Sequence, residues 1–130
     1  MRGAFLMQRK EKEMAKDDMD VIIYKILRYL YDCMKAGKTP VLEDMCCKCK
    51  LFNIPQSYWN QIIYELIKCG YVRGFMYRYT KDGLVITMTD SVAITIDGVH
   101  YLEENKRMKK VQKFLGQSFE IVLETVIAML

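Results

Sequence analysis

A single histidine, His100, is all the imidazole this 130-residue chain has. No Ser or Cys stands with it in a recognisable motif, so a nucleophilic triad is unsupported. The seven glycines are dispersed at element ends and turns, which leaves no glycine-rich loop to cradle a phosphate. No two carboxylates have a spacing assignable to acid–base work. Enzymatic activity is not expected. There is also no run of about 18 uncharged apolar residues, so no transmembrane helix is expected. The patch Ala4-Phe5-Leu6-Met7 is too short for a signal-peptide core. Without a secretory signal, the five cysteines are expected as reduced thiols in the cytoplasm. Their odd number argues against a closed disulfide framework. Cys46 and Cys49 have Cys-x-x-Cys spacing, but a zinc site needs two further ligands. Cys33, Cys69 and His100 supply no second short-spaced pair, and no thioredoxin-like βαβ pattern follows. Small buried or half-exposed thiols are the plainer reading. No metal, cofactor or small-molecule ligand is expected.

What the chain does have is apolar patterning. Hydrophobic residues make up 52% of it, a little above the usual soluble range, so a folded core is expected. Its length fits one domain with a modest core. The net charge of +4 mildly favours a polyanionic partner. Its distribution matters more. Lys48, Lys50 and Lys68 are matched by Glu43, Asp44 and Glu65. The free excess gathers at Lys106, Arg107, Lys109, Lys110 and Lys113.

The stretch from Thr39 to Tyr79 reads as a helix–turn–helix with a β-wing. A helix from Pro55 to Cys69 lines Trp59, Ile62, Ile63, Leu66 and Ile67 along one face, and Gly70 closes it. Before it, a helix from about Met19 to Ala36 puts Val21, Ile22, Ile26, Leu27, Leu30 and Met34 on one face, ending at Gly37. Thr39-Pro40 is extended. A short helix is expected from Val41 to about Cys49, with Leu42 and Met45 inward, then a turn at 51–54. After Gly70, the run from Tyr71 to Tyr79 turns at Lys81-Asp82-Gly83 into Leu84–Met88, a hairpin signal. Tyr71, Phe75, Tyr77 and Tyr79 are read as a packed β-face with wet phenol rims. Thr89-Asp90-Ser91 is expected as a loop and Val92–Ile96 as a short strand. Asp97 is then the N-cap of a helix starting at Gly98 or Val99, with Tyr101 and Leu102 inward.

Residues 1–18 are expected as an extension outside the core, with Met14 as an alternative start or the segment as an arm that reaches a partner. Residues 19–105 form the domain. A long amphipathic helix is expected over 106–130, where Val111, Leu115, Phe119, Val122, Val126 and Met129 step near a heptad seam. A helix this apolar calls for a partner surface, most simply in a two-fold homodimer. A membrane-surface helix fits less well, because the basic residues sit at one end.

The segment from Tyr58 to Val72 resembles the third helix and first wing strand of winged-helix proteins, where a helix commonly ends with Leu before Gly-Tyr and a β-branched residue. Ile94-Thr95-Ile96-Asp97-Gly98-Val99-His100-Tyr101-Leu102 looks like the segment that follows the wing. With Glu103-Glu104-Asn105 and Met108-Lys109-Lys110, the chain is similar over about 19–113 to the YjcQ family of small winged-helix proteins from Gram-positive bacteria and their phages. That resemblance implies an α+β winged helix–turn–helix fold and a bacterial or mobile-element origin, and it brings no catalytic residues.

The first expectation is a dimeric winged-helix protein that binds double-stranded DNA, in the role of a transcriptional regulator. Ser57, Tyr58, Asn60, Gln61 and Tyr64 would lie nearest the bases, with Lys48, Lys50, Arg78 and Lys81 on phosphates. The alternative is a winged-helix module that binds protein and never touches DNA. A redox or zinc-regulated sensor at Cys46, Cys47 and Cys49 ranks third.

Overall fold

The computed structural model describes residues 14–130. It is an α+β arrangement of four α-helices and one antiparallel hairpin, compatible with a winged helix. The arm expected within residues 1–13 lies outside the described residues. Met14 packs against the edge of the core, and the Ala15 N–H donates to the Asp18 carboxylate at 3.0 Å.

Helix α1, Met19–Ala36, is the centre of the fold. Nine of its residues are buried, among them Tyr24 and Tyr29, so it is apolar on more than the one face that the spacing suggests. Met34, expected on that face, is instead exposed. Four elements surround the helix: α2 (Gln56–Cys69), strand β2 (Gly83–Ile94), α3 (Ile96–Glu104) and α4 (Lys106–Ala128). Full burial of an Ile or Leu is worth roughly 1.5–3 kcal/mol, so Ile22, Ile26, Leu27 and Leu30 make α1 the main source of cohesion. Gly37 ends it in the left-handed region at φ 71°, a conformation that costs any residue with a Cβ backbone strain.

The segment expected as a short helix is only a 3-10 turn, Leu42–Asp44. Leu42 is exposed, whereas Met45 is fully buried. The turn stops because its groups are recruited elsewhere. Tyr29 Oη donates to Asp44 at 2.9 Å and accepts from the Val41 N–H at 3.0 Å. A small β-bridge then joins Lys48 to Asn53, and the Ile54 N–H donates to the Cys47 carbonyl. Tertiary bonding overrides a weak helical preference here. Pro55 stands at the N-cap of α2, and Trp59 Nε1 donates to the Met45 carbonyl at 2.7 Å, tying the loop to the helix.

Strand β1 (Val72–Thr80) pairs with β2, which runs unbroken through the expected loop at Thr89–Ser91. The register jumps between Arg73 and Phe75: Arg73 faces Ala93, but Phe75 faces Met88. Residues 89–92 therefore bulge opposite Gly74 alone. Gly74 has φ 89°, and a Cβ there would come within 2.5 Å of the Val92 backbone. Thr89 Oγ1 donates to the Gly74 carbonyl at 2.6 Å and pins the bulge.

Helix α3 begins at Ile96, and its cap is Thr95 rather than Asp97. Thr95 Oγ1 accepts from the Gly98 N–H at 3.0 Å and donates to the Gly70 carbonyl at 2.6 Å. Asn105 caps α4 in turn. The expected continuous helix over 106–130 is kinked at Gly116 (φ 66°, ψ −159°), and both halves meet α1, Arg107 at Asp20 before the kink and Glu120 at Arg28 after it. Arg28 holds the second half, donating to both oxygens of Glu120 at 2.8 and 2.9 Å. That fork holds the Glu120 carboxyl below the usual glutamate range. Tyr24 packs on Phe119, and Lys38 Nζ donates to the Ile127 carbonyl at 3.0 Å.

Candidate nucleic-acid interface

The outward face of α2 and the hairpin beside it form the candidate site. Burying Trp59, Ile62, Ile63 and Leu66 turns Ser57, Gln61, Glu65 and Lys68 to the exterior. The hairpin's inner face, Phe75, Tyr77 and Tyr79 opposite Met88, Ile86 and Leu84, approaches the same helix. Tyr64 sits between them, edge-on to Tyr77 at 5.0 Å and to Tyr79 at 6.0 Å between ring centroids. The expected packed β-face with wet rims is thus found for Phe75, Tyr77 and Tyr79, with Tyr79 64% exposed. Tyr71 belongs elsewhere and stacks on Tyr101 at 4.5 Å.

The five base-edge candidates are not equivalent. Ser57 and Gln61 are exposed, and neither side chain has a hydrogen bond among the described residues. Asn60 is committed to the fold. Its Nδ2 donates to the Leu84 carbonyl at 3.1 Å, and its Oδ1 accepts from Gln56 Nε2 at 2.9 Å. Tyr58 Oη donates to the Asp17 carbonyl at 2.8 Å, joining α2 to the segment before α1. Tyr64 is held in the aromatic cluster. Of the five, only Ser57 and Gln61 have side chains without such a commitment among the described residues.

Lys48 and Lys50 are exposed in the loop before α2, and Arg78 and Lys81 are exposed at the far end of the hairpin. Among the described residues none of these four forms an ion pair. The loop adjoins α2 through the chain and the hairpin packs against it. Lys68, whose ammonium lies 5.9 Å from the centroid of Tyr64, is a fifth cation on the same face. Its position at a helical step from Gln61 and Tyr64 is the signal for it in the sequence. The acids counted against these lysines are partly occupied, since Asp44 is bonded to Tyr29.

The cysteines spread over different environments. Cys33 is buried and Cys69 exposed, while Cys46, Cys47 and Cys49 are half-buried. Burial pushes the Cys33 thiol up to about 11 and raises Cys49 as well. Cys46 Sγ lies 3.4 Å from the Lys48 carbonyl and Cys47 Sγ 3.2 Å from Gln56 Oε1, so both thiols turn to neighbouring polar groups. Among the described residues, no group of three or more His, Cys, Asp or Glu side chains is placed to hold a metal ion. No described helix is long and apolar enough to cross a membrane.

Of the residues expected on a dimer seam, the fold buries Val111, Phe119 and Val126 within the chain and half-buries Leu115. Val122 and Met129 remain exposed. Half of the heptad seam thus serves the chain's own core.

Over residues 24–117 the chain matches the family model described as YjcQ protein, and it belongs to that family. Neither the curated proteins nor the solved structures yield a match to it.

Proposed function

We propose that this chain is a winged-helix DNA-binding protein, not an enzyme. In this reading α2 enters the major groove and the β1–β2 hairpin lies along the adjacent backbone. The observation that carries it is that Lys48 and Lys50 on the loop leading into α2, Arg78 and Lys81 on the hairpin packed against it, and Ser57 and Gln61 on α2 itself are all exposed, the four cations having no ion pair among the described residues. Cations so placed fix register on the phosphates, and two short polar side chains read bases between them. Because Asn60 and Tyr64 are committed to the fold, base discrimination is modest and phosphate contact dominates. As a two-fold dimer the protein would place two such helices on successive turns of a duplex, as a transcriptional regulator does.

The test is fluorescence anisotropy on a mixed-sequence duplex at several salt concentrations. Four phosphate contacts give a slope of log K against log salt of about −3.6. That corresponds to a loss of affinity on the order of a hundredfold between about 50 and 200 mM salt. Replacing Lys48, Lys50, Arg78 and Lys81 by Ala is expected to remove most of both affinity and slope. No binding at low salt would overturn the proposal. The hairpin's exposed Met76, Tyr77 and Tyr79, beside a helix whose Glu65 and Lys68 cancel, favour a second reading: a winged-helix scaffold that binds protein. A salt-insensitive complex with a protein partner, and none with DNA, would select it.

A further inference from the structure

We infer that the cavity between α1 and the loop 49–54 binds a phosphate group, held by Lys16, Lys25 and Lys50. Of the residues in the DNA reading this site shares only Lys50, so it stands independently of that reading.

Two cations of α1, Lys25 and Arg28, are half-buried, and the fold treats them differently. Arg28 is answered by Glu120 and Asp32. Lys25 forms no ion pair among the described residues. Its Nζ donates to the Leu51 carbonyl at 2.7 Å and lies 5.7 Å from the ring centroid of Phe119. An ammonium has three protons to give, and taking it out of water without a counter-ion is costly. Burial pulls the Lys25 pKa below lysine's ordinary value, and the nearby charge of Lys16 pulls the same way. A bound anion would answer both.

Lys25 opens onto a cavity of 250 Å³ that Lys16 and Lys50 also line. Leu51, Phe52 and Ile54 form its buried lining, while Lys16, Lys50 and Asn53 are exposed at its edge. The loop side is pinned, since the Cys49 N–H donates to the Phe52 carbonyl at 2.9 Å and the Ile54 N–H to the Cys47 carbonyl at 2.8 Å. Three lysines stand against one carboxylate of the lining, Asp17, which pairs with none of them among the described residues. A concave site lined by one sign of charge concentrates counter-ions of the other. A phosphate group carries nearly two negative charges and three strong acceptor oxygens, which matches the excess of positive charge and the number of ammonium groups. The volume lies below the roughly 300–1,000 Å³ of sites for drug-sized ligands, so it suits a phosphate group and not a whole nucleotide. That group comes either from free phosphate or from a DNA backbone laid against the loop.

The test is an amide-shift titration of the labelled full-length chain with inorganic phosphate, at constant ionic strength set with chloride. Saturable shifts are expected at residues 49–54. The denser but wholly exposed cations Lys106, Arg107, Lys109, Lys110 and Lys113 serve as the control, where only weak, non-saturating shifts are expected. Lys25→Met keeps an unbranched apolar stem and removes the charge, and its Kd for phosphate is expected to rise about tenfold, as loss of one charged hydrogen bond does. Lys16→Gln with Lys50→Gln changes only exposed positions, and this double variant is also expected to weaken phosphate, by roughly tenfold. No saturation at 49–54 overturns the site. So does an unchanged Kd in the double variant or in folded Lys25→Met. A short duplex then identifies the source. DNA phosphate predicts that the duplex moves residues 51–54 and that free phosphate reverses the shifts; free phosphate as the ligand predicts that the duplex leaves 51–54 unmoved. Failure with phosphate sinks this site alone, and duplex binding by α2 and the hairpin is read separately from Ser57, Gln61, Arg78 and Lys81.

Discussion

Asn60 and Gln61 are neighbours on one helix, both amides, and the fold gives them opposite duties. Asn60 is spent on the Leu84 carbonyl and on Gln56, so it sets the angle between α2 and the hairpin. Gln61 faces out. Replacing Asn60 by Ala leaves the Leu84 carbonyl without its side-chain donor, an expected loss of about 1 kcal/mol in urea unfolding. Because Asn60 acts through position, Asn60→Ala should weaken binding to all duplexes alike. Gln61→Ala should leave stability within about 0.5 kcal/mol, as surface changes usually do, and compress the affinity differences between duplexes. Anisotropy on a small panel of sequences separates the two patterns. From sequence these residues look alike, because helical spacing places both near the exposed face. Only the carbonyl presented by another element distinguishes them.

At the scale of elements, the segments that carry the family resemblance turn out to hold one another. Gly70 ends α2 at φ 78°, and its carbonyl accepts from Thr95. Gly98, three residues past Thr95, lets α3 approach until a Cβ would stand 2.2 Å from the Tyr71 carbonyl. Tyr101 then stacks on Tyr71. Gly-Tyr and Thr-x-x-Gly-x-x-Tyr-Leu are thus two halves of one joint between α2, the hairpin and α3. Gly98→Ala suits a helix intrinsically, yet the contact forces α3 away. An expected destabilisation of about 2–3 kcal/mol follows, readable as a lower urea midpoint. α1, α2 and the hairpin turn were legible, because each is set by local periodicity and a glycine stop. The 3-10 turn at Leu42–Asp44, the bulge opposite Gly74 and the Thr95 cap were not. Each depends on a partner distant in sequence: Tyr29, Val92 and Gly70 respectively.

For the whole molecule, the apolar excess of residues 106–130 shows how periodicity underdetermines a fold. The stripe predicts a partner surface, and α1 of the same chain is the first such surface it meets. What directs it there is the Gly116 break and the Arg28–Glu120 fork, neither visible as a hydrophobic pattern. The candidate site was legible as a location, since a polar helix face beside a wing with cations at both ends can be read from spacing. Which of its side chains are free could not be read. The result is a scaffold in which α2, the hairpin and α3 meet at one joint, with Ser57, Gln61, Lys48, Lys50, Arg78 and Lys81 exposed on α2 and the two segments beside it.

The most direct measurement is an amide-shift map of the isotopically labelled protein titrated with a short mixed-sequence duplex at low salt. Helix–wing binding to DNA predicts shifts concentrated at Lys48, Lys50, Ser57, Gln61, Arg78 and Lys81, with α1 and the second half of α4 unmoved. Shifts confined to Lys106, Arg107, Lys109, Lys110 and Lys113, or no shifts at all, would contradict it.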